Sequence, residues 1–453
     1  MQPFKYLSPS YSLFSIILNY YQPVKNIEMI KGTFLALLFI FTIGCSAQKT
    51  KSPVEDQPKI LAGAERITVY LPLIKGRRVG IFANQTSMVG NTHLVDTLRK
   101  LGVDIKVIFG PEHGFRGTAD AGEHVGNYID KQTGIPVVSL YGNKRRPSAE
   151  DLKNVDILIF DIQDVGVRFY TYISALEDFM NTAFELSKPL MVLDRPNPNG
   201  FYVDGPVLDR QFRSYIGMQP VPVVYGMTIA EYGMMLAGEK WLSEKANAKH
   251  DYYLRAQNSP DTPFHFQVIK CGNYNHKSKY TLPVRPSPNL PEIQSVYLFP
   301  STCWFEGTPF SEGRGTKKPF QYIGDPKMPK NMYSFVPNPN EGAKSSKNYG
   351  KKCYGWNLHD TPEKTLQLID NRIQLKWILE AYKIYPQKDS FFLVPNSGKM
   401  EESHMTRLAG YNEFWQQIRD GKTEEEIRAS WEPKLSEFKK MRKKYLLYED
   451  FEP

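Results

Sequence analysis

Residues 107–126 read VIFGPEHGFRGTADAGEHVG. The apolar run Val107-Ile108-Phe109 predicts a buried strand, which Gly110-Pro111 stops. Just past the stop lie Glu112, His113, Arg116, Asp120, Glu123 and His124, interleaved with Gly110, Gly114, Gly117 and Gly122. Ionisable groups on glycine-framed backbone suit a loop that closes on a ligand. A second such segment is Ser311-Glu312-Gly313-Arg314-Gly315-Thr316. Together Glu112 and Glu312 make a pair of carboxylates of the kind that hydrolyses glycosidic bonds. One must protonate the leaving oxygen, which requires burial or a nearby like charge, and the other acts as nucleophile or as base for water. Arg168 and Arg314 each offer a planar fork for a substrate carboxylate, although Arg314 reads equally as a salt bridge between domains. A metal site built from Glu112, His113, Glu123 and His124, with Asp161, is the chemical competitor. Adjacent residues seldom reach one ion and no i, i+4 histidine pair exists, so no metal or cofactor is assigned. His124 alone reads as an ordinary hydrogen-bonded loop histidine.

These residues need a frame. From about Ala62 short apolar runs alternate with helical spacing: Arg78–Phe82, Ile105–Phe109, Pro136–Leu140, Val155–Phe160 and Pro189–Leu193 as strands, with Ile67–Ile74, Thr92–Leu101 and Ile173–Leu186 as helices. That alternation predicts a Rossmann-like, mostly parallel α/β sheet. Ligands bind beyond the carboxyl ends of such strands, and the polar residues collect there. Asn84-Gln85-Thr86 follows the first strand, and Asp161-Ile162-Gln163-Asp164-Val165-Gly166 follows a later one, with Arg168, Tyr170 and Tyr172 beyond. Asp194-Arg195-Pro196-Asn197 follows the last. Asp161 and Asp164 read equally as helix caps or loop braces. Thr228 and Glu231 have capping-box spacing, which makes Glu231 structural. Periodicity fades over Trp241–Pro263, so the sheet domain is placed at 62–245 and a smaller α+β domain at 246–453. The latter is rich in Pro, Tyr and Lys and contains the stiff stretch Thr281–Pro291. Neither a serine nucleophile elbow, a Walker loop nor HExxH is present, and Pro111 breaks any dinucleotide fingerprint.

At 453 residues two domains are expected. The net charge of +9 is spread over the chain rather than gathered in a nucleic-acid stripe. Its densest run, Lys439–Lys444, reads as a solvated helix face. Cys271, Cys303 and Cys353 read as buried thiols. Cys45 has another explanation. Lys31 followed by the apolar run Phe34–Ile43 is too short to span a membrane and has signal-peptide proportions. Thr42-Ile43-Gly44-Cys45 then resembles a bacterial lipobox, with Thr42 in place of the usual leucine. Residues 1–45 are therefore expected to be an upstream extension and signal peptide, and 46–61 a tether. An exported, lipid-anchored protein of the cell envelope is the expectation.

Six ordered motifs are similar to those of the NamZ family of bacterial exo-β-N-acetylmuramidases. They are Asn84-Gln85-Thr86, Gly110-Pro111-Glu112-His113-Gly114, Asp161–Tyr172, Leu193–Pro198, Pro286-Ser287-Pro288-Asn289 and Ser311–Thr316. The resemblance covers the chain from about Ala62 to its end. It implies a Rossmann-like domain and a smaller C-terminal domain with a cleft between them. The implied activity is release of N-acetylmuramic acid from the non-reducing end of peptidoglycan fragments, without cofactor. It makes Glu112 the leading catalytic candidate; Glu312 as its partner rests on motif character. The implied substrate contacts are Asn84, Gln85, His113, Asp161, Asp164, Arg168, Tyr170, Tyr172, Asn197, Asn289 and Arg314. One of the two arginines is expected on the lactyl carboxylate. Pro283-Val284-Arg285 departs from the pattern where an aromatic is expected. The competing reading from another class is a non-catalytic envelope protein that holds peptidoglycan fragments in the same cleft; a metal-dependent envelope hydrolase is a third.

Overall fold

The computed structural model describes residues 58–112, 114–117, 126–255 and 264–452. The expected leader, Cys45 and most of the tether lie outside the described residues, as do His113, Asp120, Glu123 and His124. Seven strands form the main sheet: β1 (Arg78–Ala83), β2 (Asp104–Gly110), β3 (Tyr128–Ile129), β4 (Pro136–Ser139), β5 (Ile157–Asp161), β6 (Leu190–Leu193) and β7 (Phe266–Ile269). Their spatial order is β3-β4-β2-β1-β5-β6-β7. Every pairing is parallel except β3 with β4 at one edge. Every residue of β5 and β6 is buried, as expected for strands covered on both faces. The chain leaves β1 in one direction to β2 and returns on its other side with β5. The switch point therefore lies at β1, where an open α/β sheet forms its ligand crevice.

Helices α1 (Ile67–Ile74) and α2 (Leu94–Lys100) cover one face, where Tyr70, Ile74 and Leu98 meet Val79, Ile81 and Ile108. The other face takes α3 (Tyr172–Glu185) and α4 (Ile229–Gly238), with Phe179 edge-on to Phe82 and Phe109. Thr228 caps α4 and forms the box with Glu231, as the spacing predicts. After α5 (Glu244–Arg255) the chain returns to the sheet as β7, beside β6. The boundary expected after residue 245 is thereby corrected: the sheet takes in Phe266–Ile269. This edge strand is mostly half-exposed and contains Gln267, so it lacks the continuous apolar run that marks a buried strand.

The smaller C-terminal part contains α6 (Ile293–Thr302), a three-stranded antiparallel sheet and five further helices. The sheet is β8 (Tyr322–Asp325), β9 (Tyr333–Phe335) and β10 (Cys353–Asn357), with β10 central. The helices are α7 (Pro362–Ile369), α8 (Lys376–Ile384), α9 (His404–Ala409), α10 (Glu413–Arg419) and α11 (Glu424–Arg442). Its apolar core, including Trp304, Phe310 and Phe414, is continuous with Val165, Val167 and Phe169 from the loop after β5. Helix α11 joins both cores, through Trp431 to one and Leu435 and Phe438 to the other. Its basic run is no uniform solvated face, because Arg442 is fully buried and ion-paired to Asp450 at 2.8 Å.

Candidate active site

A cavity of about 410 Å³ lies beyond the strand ends, within the roughly 300–1,000 Å³ range of small-ligand sites. Three loops of the sheet domain line it: Glu112 after β2, Tyr141 and Arg145 after β4, and Phe169–Tyr172 after β5. Tyr215 and Ile216 complete that side. The remaining wall comes from Ser287 and Asn289, Phe299 of α6, Glu306, Arg314, Phe320 and His404. Aromatic faces with a few polar groups among them suit the apolar faces and hydroxyl rim of a sugar ring.

Glu112 is half-buried and hydrogen-bonded with the Tyr141 phenol. Burial, together with the charge and hydrogen bond of Glu112, pushes that phenol up to about 12. Tyr170 and Tyr172 meet edge to face at 4.7 Å. The Tyr170 hydroxyl donates to the Pro286 carbonyl at 2.8 Å, and the Tyr172 oxygen accepts from Asn84 Nδ2 at 2.8 Å. Asn84 in turn takes the Thr86 N–H and hydroxyl on its Oδ1. Gln85 donates to the Pro286 carbonyl at 3.1 Å, and Asn289 donates to the Gly342 carbonyl at 2.7 Å. The NQT and PSPN motifs thus hold each other and the tyrosines. Tyr170, Tyr172 and Asn289 reach the cavity, whereas Asn84 and Gln85 do not line it.

On the far wall Glu306 sits in the 3₁₀ turn Cys303–Gly307 that continues α6. Its Oε1 accepts from Arg314 Nη2 at 2.5 Å and its Oε2 is 3.1 Å from His404 Nε2. Burial opposes its charge, but Arg314 and His404 outweigh burial and hold this carboxyl well below the usual range. Sequence reading missed Glu306 because Cys303-Trp304-Phe305 before it reads as core. The available signal was Glu306-Gly307-Thr308, a glutamate–glycine pair like Glu312-Gly313 only six residues on.

Glu312 takes a different place. It is 3% exposed and is not among the residues lining the cavity with Glu112. Arg314 Nε lies 3.1 Å from its Oε1 and Lys347 Nζ 3.0 Å from its Oε2. It borders an adjoining cavity of about 360 Å³ that shares Glu306, Arg314 and His404. The expectation that Glu112 and Glu312 share one wall-to-wall site is corrected: two cations draw Glu312 behind Arg314, and Glu306 takes the cavity position.

Several other expected contacts are braces. Arg168 is fully buried, giving Nη1 to the carbonyls of Pro206 and Val221 and Nη2 to those of Leu408 and Ala409, all at 2.7–2.8 Å. It pins α9 to the sheet domain and is not among the residues lining the cavity with Glu112. Asp161 holds Arg195 in a two-pronged pair at 2.6 and 2.9 Å. Asp164 Oδ2 takes the Gly166 N–H at 2.6 Å and the Tyr225 hydroxyl. Asn197 Nδ2 donates to the Met227 carbonyl at 2.8 Å. Gly166 has a φ of 75°, and a Cβ there would lie 2.2 Å from Asn197 Oδ1, so the loops after β5 and β6 pack through it. Arg314 faces the cavity but is committed to Glu306 and Glu312. Among the described residues no three His, Cys, Asp or Glu side chains group as metal ligands.

The sequence matches two family descriptions end to end: "Exo-beta-N-acetylmuramidase NamZ, N-terminal" over residues 79–294, and the corresponding C-terminal description over 297–448. A Bacillus subtilis (strain 168) protein described as peptidoglycan β-N-acetylmuramidase NamZ is 36% identical, covering 92% of this chain and 98% of its own length. Two crystal structures of DUF1343 family proteins from Bacteroides fragilis NCTC 9343 share the fold. One has a TM-score of 0.74 at 40% identity and the other 0.68 at 25%, each covering 86% of this chain and 99% of its own. With both halves matched in order and a relative this similar along nearly its whole length, the chain belongs to the NamZ family of exo-β-N-acetylmuramidases, which are glycosidases.

Proposed function

We propose that this chain releases N-acetylmuramic acid from the non-reducing end of peptidoglycan fragments, using Glu112 and Glu306 in the cavity they share. The observation that carries the reading is that one sugar-sized cavity presents a carboxylate from each half of the chain, with aromatic walls between. Glu306, held ionised by Arg314 and His404, suits the role that needs a carboxylate: stabilising the oxocarbenium-like transition state, as nucleophile or as base for water. Glu112, among the tyrosines, then protonates the leaving oxygen. The Bacillus relative's described activity supports the same substrate class.

The test uses purified protein with a muramic-acid-terminated disaccharide and with a nitrophenyl β-N-acetylmuramide. Glu112→Gln is expected to lose about 10²–10⁴-fold on the disaccharide, the usual worth of a general acid. It should lose far less on the nitrophenyl glycoside, whose leaving group departs without a proton. Glu306→Gln is expected to fail on both. Absence of muramic acid release by the wild type from either substrate would overturn the reading.

A further inference from the structure

We propose that Arg145 is the specificity residue that binds the lactyl carboxylate of the muramic acid in the cavity. This rests on the reading above that the cavity takes a terminal muramic acid. That sugar differs from N-acetylglucosamine by one lactyl ether bearing an anion, so a site that selects it needs a cation free to fork onto a carboxylate. Neither arginine expected from the sequence meets that need. Arg168 is sealed in the interior with four backbone carbonyls on its two terminal nitrogens. Arg314 spends its Nη2 on Glu306 and its Nε on Glu312.

Arg145 is placed differently. It is exposed, lines the same cavity as Glu112, and lies with its guanidinium 4.0 Å from the centroid of the Tyr215 ring. Stacking on an aromatic face fixes the plane of a guanidinium while leaving its N–H edges available. No carboxylate partner of Arg145 exists among the described residues, whereas each neighbouring cation has one. Lys144 pairs with Asp151 at 2.6 Å, Arg146 with Asp178 at 2.8 Å, and Arg213 with Glu177 at 2.8 Å. The same four cations, with Tyr215, line an open groove that adjoins the cavity. Asp178 lines it too, and with Lys144, Arg146 and Arg213 each balanced by a carboxylate, the positive charge left over at its mouth is that of Arg145.

The decisive comparison is between N-acetylmuramic acid and its neutral lactyl carboxamide, each measured as a competitive inhibitor of nitrophenyl muramide hydrolysis. Wild-type protein is expected to bind the acid 10–100-fold tighter than the amide, the range of a charge-assisted hydrogen-bonded pair. In Arg145→Gln the acid should weaken to the level of the amide, with the amide unchanged, and Arg145→Lys should restore part of the gap. Hydrolysis by Arg145→Gln should fall mainly through a higher KM. Its side chain is exposed, and an unchanged melting temperature would show that the fold is intact. Persistence of the acid–amide gap in Arg145→Gln, or no gap in the wild type, would overturn the assignment while leaving the activity standing. A wild type that hydrolyses no muramide would instead sink the parent reading.

Discussion

Asp164 has its Oδ2 saturated by the Gly166 N–H and the Tyr225 phenol, but its Oδ1 is buried without a hydrogen-bond partner. Burial outweighs those two bonds and raises its pKa from the ordinary 3.8 to about 6. A carboxyl whose pKa is raised by folding stabilises the fold fully below its unfolded pKa, and that contribution fades as pH rises through the folded value. The window here is about pH 4–6, and the contribution is roughly 3 kcal/mol at most, on the basis of 1.36 kcal/mol per pH unit. Asp164→Asn keeps an acceptor and removes the proton, so its melting temperature should gain on the wild type from pH 4 to 6 and hold steady above. A difference independent of pH would mean that Asp164 titrates normally. Such a role was invisible in the sequence, where Asp164 reads as well for substrate contact as for bracing. What decides between them is the depth of Asp164 and the position of Tyr225, sixty-one residues away. Tyr141, Tyr215 and Arg145 escaped for the same reason: each is a single residue whose company is set by the sheet. The place of Glu112 on the cavity wall, by contrast, was legible because a strand stop and glycines surround it locally.

At the scale of elements, strand and helix patterns carried most of the sheet. The runs read at Arg78, Ile105, Pro136, Val155 and Pro189 all became strands of it, because central parallel strands must be apolar on both faces. The edge strand β7 was missed because only part of it is buried. What no periodicity shows is how the loops after β5 and β6 interlock. Gly166 occupies a left-handed conformation against Asn197, while Gly350 has a similar φ of 69° with nothing within 4 Å of its would-be Cβ. The two positions separate backbone strain from crowding. Gly350→Ala should cost only the left-handed penalty, about 1–2 kcal/mol. Gly166→Ala should add an overpacking penalty of about 1–3 kcal/mol. It should also lower kcat/KM, because the displaced loop runs directly into Tyr170 and Tyr172 on the cavity wall. Denaturant melts of the two variants decide it; equal losses would mean that Asn197 simply swings aside.

For the molecule as a whole, the question is whether the sheet domain and the C-terminal part unfold together. Residues 57–453 cluster as one compact unit, and the chain end gives a physical reason. Helix α11 leaves the C-terminal core at Trp431 and enters the sheet-domain core at Leu435 and Phe438. Beyond it the Tyr448 hydroxyl donates to Asp194 Oδ2 at 2.5 Å, and Leu447 N–H to Glu231 Oε1 at 2.7 Å. Arg442 donates from Nε to the Gly226 carbonyl and forks onto Asp450 with both terminal nitrogens at 2.8 Å. Residues 442–450 are therefore a strap across the sheet domain. Asp450→Ala would leave the fully buried Arg442 guanidinium without its counter-charge, which costs about 3–5 kcal/mol when one partner of a buried pair is removed. Because the strap ties both cores, that loss should appear as a downward shift of one cooperative calorimetric transition, with calorimetric and van't Hoff enthalpies in agreement. Muramide hydrolysis should disappear at the same temperature, since the proposed site draws Glu112 from one part and Glu306 from the other. Two resolved transitions, with only the C-terminal one moving, would show that the parts fold independently and that the strap is incidental.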